Sequence, residues 1–156
     1  MQRSFLILSI LLLLFAGGVW GEYLKDMSVT KVVDGDTVYA SYKGKIHKMR
    51  LLEIDAPERD QPFGAESTAF LKELLKAKLI DADISGQDRY KRDLARIYVT
   101  GKDINRIMVS NGMAWVYDAY VRDKSFYKDQ ELAQIQQLGV WSLGDAIPPW
   151  TWRRNR

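Results

Sequence analysis

Asp34, Asp36, Asp55 and Glu58, together with Arg50 and Arg92, are the residues whose types and spacing could do chemistry in this sequence. Asp36 opens one run of β-branched and aromatic residues and Asp55 closes another, so antiparallel pairing of the two runs gathers two carboxylates in one place. Like charges held together are unfavourable unless a cation or a proton sits between them. Oxygen-only ligands suit calcium or magnesium, with backbone carbonyls and waters completing the shell. A phosphodiester attacked by water gains negative charge on its oxygens. Arg50 and Arg92 suit that charge, because a guanidinium stays protonated and bonds two phosphate oxygens at once. Glu58, three residues past Asp55 and held by Pro57, is the carboxylate available to orient the water or take its proton. Taken singly, Asp34-Gly35-Asp36-Thr37 is a hairpin turn and Arg89, Lys91 and Arg92 form a solvated basic loop. Their combination at strand ends, on what would be one rim of a barrel, is what points to a site.

Composition narrows the chemistry further. The chain has 156 residues, 47% of them hydrophobic, which is enough for a core of one ordinary domain. Its 23 Lys plus Arg against 20 Asp plus Glu make it mildly basic, in keeping with a polyanionic substrate. The absence of cysteine excludes a thiolate nucleophile, a cysteine zinc site and a disulfide framework, and leaves the redox compartment undecided. The solitary His47 excludes mechanisms that need a histidine pair or several histidine ligands. Hydrolysis in this chain must rest on carboxylates, arginines and a hard metal.

The elements that must position these groups can be read from periodicity. Val29–Val33, Thr37–Tyr42 and Lys45–Ile54 read as antiparallel strands punctuated by Asp34-Gly35 and Lys43-Gly44. From Gly64 to Lys76 the period changes to that of an amphipathic helix, with Phe63, Ser67, Phe70, Leu71, Leu74 and Leu75 on one face. Leu79–Ile84 and Leu94–Val99 return to strand, which makes five. Asp103 is placed to cap a short helix that stops at Asn111-Gly112. A last helix is expected from Ser125 to Leu138, with Leu132, Ile135 and Leu138 inward and Gly139 ending it. This order predicts an α+β fold: a five-stranded β-barrel of the OB-fold type with three helices. The tail, with Pro148-Pro149 and then Trp150-Thr-Trp-Arg-Arg, is expected to be an extended segment whose tryptophans cap the barrel.

The N-terminus reads as an address. Arg3 precedes the apolar run Phe5–Ala16 and the small residues Gly17 and Gly18, the layout of a secretory signal peptide cleaved after Gly18 or Gly21. Residues 1–21 are therefore expected to be a leader and 22–156 the working domain of an exported protein. An uncleaved membrane anchor is the alternative, although Phe5–Trp20 is short of the ~20 residues that span a bilayer comfortably.

Three segments, VVDGDTV (Val32–Val38), RLLEIDAPE (Arg50–Glu58) and DRYKRDLARIY (Asp88–Tyr98), are similar to the signature segments of the staphylococcal nuclease family. GAESTAF at Gly64–Phe70, NGMAWV at Asn111–Val116 and LGVWS at Leu138–Ser142 extend the resemblance, which runs from Val29 to Trp141. It implies a calcium-dependent nuclease of DNA and RNA that leaves 3′-phosphate ends and needs no protein partner, working as a monomer. By the same resemblance Asp36, Asp55 and the Ala56 carbonyl hold Ca2+, Glu58 is the general base or water-orienting group, and Arg50 and Arg92 hold the phosphate. Asp34 stands near the metal, while Arg89 and Tyr90 contact the nucleotide. The chain departs from the family's best-known member at Ala56, where that member has threonine, and at Glu53, where it has an apolar residue. Asp118 falls where that member has a base-stacking tyrosine, which leaves Tyr117 or Tyr120 as candidate substitutes. The rival readings are a catalytically inactive nucleic-acid-binding barrel and a membrane-anchored adaptor. The presence of Asp36, Arg50, Asp55, Glu58 and Arg92 separates an enzyme from the first of these.

Overall fold

The structure, a computed structural model, describes residues 21–156. The expected leader and its cleavage site fall almost wholly outside them. Among the described residues no helix is long and apolar enough to cross a membrane.

Five strands wrap into a closed barrel: β1 (Glu22–Val32), β2 (Thr37–Tyr42), β3 (Lys45–Leu51), β5 (Leu79–Gln87) and β6 (Asp93–Val99). Hydrogen bonding runs in the order β3-β2-β1-β5-β6, all antiparallel, and a parallel pairing of β3 with β6 closes the ring. Three two-residue strands, β4 (Ile54–Asp55), β7 (Lys102–Asp103) and β8 (Trp115–Val116), are accessories; β4 pairs with β8. Inward residues of the five strands, Met27, Val38, Ala40, Met49, Leu51, Ile80, Ala82, Ala95 and Ile97, form the barrel interior. Helices α1 (Gly64–Leu75) and α2 (Ile104–Ser110) add Leu71, Leu75, Ile104 and Met108 to the same core. This is the α+β, OB-type barrel that the sequence predicts. His47 lies buried on β3 with Nδ1 2.8 Å from Asp93 Oδ2 on β6, so the one histidine seals the closing seam.

β1 begins at Glu22, seven residues before the expected start at Val29. Asp26 takes a positive φ of 58° and its N–H bonds Asp81 Oδ1, a bulge that shifts the register between Leu24 and Met27. The inward residues there stand three apart instead of two, so the alternation that marks a strand is broken in the sequence. With that extra length β1 pairs with β5 through its first half and β2 through its second. Ser28 is matched to both Leu79 and Ser41.

The C-terminal third departs more. Asp103 caps α2 as expected, accepting from the Arg106 N–H. Helix α3 spans Ser125–Ile135, three residues short of the expectation, and ends because Gln137 adopts φ 52°. Leu138 N–H reaches Ala133 O and Gln137 N–H reaches Gln134 O, a Schellman stop made before Gly139. The buried face of α3 carries Phe126 and Ala133; Leu132 and Ile135, expected inward, are 46% and 71% exposed. Phe126 dominates because the Arg96 and Arg106 guanidiniums lie over its ring at 4.9 and 5.8 Å and fix which face turns in. The tail is not extended. After a 3₁₀ turn at Gly139–Ser142 it forms a further helix, α4 (Pro149–Arg154), with Pro149 at its first turn.

Candidate functional site

Arg50 is the centre around which the acids gather. It stands on β3 opposite Thr37 of β2, beside Asp36, and its guanidinium turns into the loop that follows. Nη1 donates to Leu51 O at 2.6 Å and Ile54 O at 2.8 Å; Nη2 lies 2.9 Å from Asp55 Oδ1 and 3.1 Å from Asp36 Oδ2. One guanidinium thus ties two carboxylates together and fixes the loop backbone. Asp36 Oδ2 also accepts the Ala56 N–H at 2.8 Å, and its Oδ1 accepts from the Thr37 hydroxyl at 3.1 Å.

The route by which Asp55 arrives differs from the sequence expectation. β3 ends at Leu51, and Glu53 turns the chain through φ 66°, so Asp55 sits on β4 against Trp115 of β8 and not on the end of β3. The meeting with Asp36 is therefore made across a loop through Arg50 and the Ala56 N–H. Glycine allows the close approach. A Cβ on Gly35 would overlap Ser67 Oγ of α1 and stand 2.7 Å from the Ala56 Cβ, and one on Gly64 would overlap the Glu58 carbonyl. Gly35→Ala is accordingly expected to destabilise the protein by about 2 kcal/mol through overpacking. Urea unfolding of the parent and variant checks this; an unchanged midpoint would show that the Asp34–Asp36 turn yields freely.

The electrostatics are those of an over-supplied acidic site. Burial, and then the charge of Asp36, pushes Asp34 up to about 6. Asp55, 1% exposed, is also raised by burial, against the opposing pull of its Arg153 and Arg50 partners. Arg153 comes from α4: Nη2 lies 2.8 Å from Asp55 Oδ2, and Nη1 lies 2.7 Å from Glu58 Oε1 and 3.3 Å from Asp55 Oδ1. Four carboxylates, Asp34, Asp36, Asp55 and Glu58, face two guanidiniums, Arg50 and Arg153, a formal surplus of two negative charges. Among the described residues no three His, Cys, Asp or Glu side chains form a group that could hold a metal ion. The donors present, two buried carboxylates with backbone carbonyl and water, suit a hard divalent cation that keeps part of its own water shell.

Glu58 is half-buried after Pro57, with its N–H bonded to Gln61 Oε1 at 3.1 Å. Arg50, Asp36, Asp55, Ala56 and Glu58 are therefore brought together as expected. Arg92 is not in contact with them. Its Nε bonds Asp88 Oδ2 at 2.7 Å and its guanidinium stands 5.6 Å from the Tyr90 ring centroid. Arg89 lies 4.8 Å over the same exposed ring, so Arg89, Tyr90 and Arg92 form one cationic-aromatic loop before β6.

Two groups were not assigned from the sequence. Glu53 faces neither solvent nor the acidic cluster: it is buried, ion-paired to Arg96, and accepts the N–H groups of Arg122 and Asp123, each at 2.7 Å. Its carbonyl takes the Tyr117 N–H at 2.8 Å, so it fastens the 117–123 loop beside the site. The tail, expected to cap the barrel, does more, and its aromatic-basic string is the signal in the sequence. Trp150 stacks on Tyr117 with centroids 5.5 Å apart and planes 8° from parallel, and Tyr120 meets Tyr117 edge-on. Asp118 accepts from the Tyr127 hydroxyl at 2.6 Å. Tyr117, Asp118, Ala119, Trp150 and Arg154 line a cavity of about 280 Å³.

Comparison with known proteins follows the same residues. A family model described as "Staphylococcal nuclease homologue" matches residues 48–143, more than half of the chain. A Haemophilus influenzae protein named "Uncharacterized endonuclease" is 39% identical over 155 residues, covering 99% of this chain and 87% of that protein. A protein of the same name from Escherichia coli O157:H7 is 39% identical over 129 residues, 82% of this chain and 84% of its own length. A Shigella flexneri "Micrococcal nuclease" is 34% identical over 146 residues, 86% and 83% of the two chains.

Proposed function

This chain belongs to the staphylococcal nuclease family and is a nuclease, and we propose that it hydrolyses both DNA and RNA with calcium, leaving 3′-phosphate ends. The observation that carries the reading is the convergence of Asp36 and Asp55 on one Arg50 nitrogen, with Glu58 alongside. Asp36, Asp55 and the Ala56 carbonyl would hold the metal, which supplies positive charge to the phosphate oxygens when bound.

The chain's own residues do the rest. Glu58 orients a water and takes its proton as the water oxygen bonds to phosphorus; the bond from phosphorus to the 5′ oxygen breaks, and that oxygen takes a proton from solvent. Arg50, its Nη1 fixed by Leu51 O and Ile54 O, stabilises the charge that develops on the phosphate through Nε and through Nη2, the latter by giving up Asp36 and Asp55. Arg92 holds the phosphate from the neighbouring loop by giving up Asp88, while Arg89 and Tyr90 contact the adjoining nucleotide. Asp34, which accepts the Asp36 N–H, would add negative charge beside the residues that hold the metal.

Cleavage of single-stranded DNA and of RNA by the purified chain tests the reading. Excess chelator is expected to abolish turnover and added calcium to restore it. Equal turnover with magnesium alone, or persistent cleavage in chelator, would overturn the calcium assignment, since calcium tolerates an irregular oxygen shell and magnesium demands a near-octahedral one. The apolar segment Phe5–Ala16 supports export with the leader removed near Gly18 or Gly21. N-terminal sequencing of the protein recovered outside the cytoplasm decides this, and an intact leader in the membrane fraction would favour an anchor.

A further inference from the structure

The C-terminal helix places a cation where the reading above places a metal. Several anchors hold it there. Trp150 lies flat on Tyr117, Gln61 Nε2 donates to Ile147 O at 2.6 Å just before α4, and Arg156 pairs with Asp60 just after it. Gln61 and Asp60 belong to the same turn as Glu58, so the helix is strapped to the loop that carries the catalytic carboxylates.

Arg153 then spans both acids. A carboxylate has about four lone-pair directions. On Asp55, Arg50 and Arg153 share Oδ1 and Arg153 also takes Oδ2, so three are engaged by guanidinium nitrogens. An ion that takes up the remaining direction stands against a guanidinium of like sign. Glu58 is drawn the same way, because one of its two carboxylate oxygens, Oε1, accepts from Arg153. Arg153 can leave. Its side chain is 39% exposed, and a helix of six residues has little stability apart from its contacts.

We infer that Arg153 is the internal counter-cation of the acidic site, that it competes with the divalent cation for Asp55 and with the attacking water for Glu58, and that metal binding releases α4 from the site. The inference rests on the calcium reading. In the metal-free protein it accounts for the neutralisation of buried carboxylates that would otherwise repel one another.

Calcium affinity and helix mobility test it together, on the full chain stripped of metal. Arg153→Met is expected to bind calcium about tenfold more tightly than the parent, and Arg153→Lys, which keeps charge and loses the two-pronged contact, by a smaller factor. Arg154→Met, on the same helix and without a carboxylate partner among the described residues, is the control for long-range charge and is expected to stay within about twofold. The chain has no cysteine, so Asn155→Cys takes a single spin label, whose mobility is expected to rise as calcium saturates the parent. Unchanged or weaker affinity in Arg153→Met, an equal gain in Arg154→Met, or a label that stays immobile at saturating calcium would each overturn the inference and leave the calcium reading standing. A parent that cleaves DNA without binding calcium would bring down both.

Discussion

Glu58→Gln cuts turnover on DNA by about a hundredfold to a thousandfold at saturating calcium and leaves the urea unfolding midpoint close to parental. Glutamine keeps the shape of the side chain and can still accept from Arg153, but it cannot take a proton. Nothing in the packing depends on the charge. The Glu58 backbone is held by Gln61, and its side chain pairs with an Arg153 that is itself partly exposed, a contact worth at most about 1 kcal/mol. Activity and stability therefore separate. Near-parental turnover would remove Glu58 from the chemical step, and a midpoint that falls in step with activity would make the residue structural.

The reverse separation is expected at Glu53, where Glu53→Gln should cost about 2–4 kcal/mol of stability, read as a lowered urea midpoint. A carboxylate only 8% exposed is compensated by the Arg96 guanidinium and by two N–H groups from Arg122 and Asp123. A glutamine oxygen can still accept both N–H groups, but its NH₂ then faces the Arg96 guanidinium, donor against donor. Arg96 keeps Asp103 and Asp123 nearby at 3.5 Å, which softens the loss and argues for the lower part of the range. Because the same side chain holds the Arg122 and Asp123 N–H groups, the 117–123 loop should loosen with it. An unchanged midpoint would mean that desolvating the ion pair costs as much as the pair returns.

These two glutamates show what the sequence reveals and what it hides. Glu58 was legible because it lies within a nine-residue segment with Arg50 and Asp55, whose types belong to one reaction. The barrel was legible for the same local reason, since strand alternation and the period of α1 need only neighbouring residues. Glu53 was not, because its direction is set by a left-handed turn and its partners lie 43, 69 and 70 residues away. The inward face of α3 differs from the expected one because Leu132 and Ile135 out-rank Phe126 and Ala133 as a stripe, while the arginines that select Phe126 lie on β6 and α2. Arg153 was the least legible. A basic residue near an end reads as solvated until tertiary structure sets it on a buried acid 98 positions earlier.

The parallel seam between β3 and β6 has a consequence for the order in which the protein can become itself. Met49, Arg50 and Leu51 have no sheet neighbour on that side until Asp93, Leu94 and Ala95 reach them, and the pairing can form only after the whole intervening stretch has been made and folded back. Contacts of such separation pay their loop-closure entropy first and form late. Arg50 sits on that seam and gathers Asp36 and Asp55, so catalytic competence should arrive with ring closure and not with the earlier β1–β2–β3 hairpins. In a pulse-labelled refolding experiment, amide protection at Leu52, whose N–H bonds Ala95 O, should rise together with the first appearance of activity.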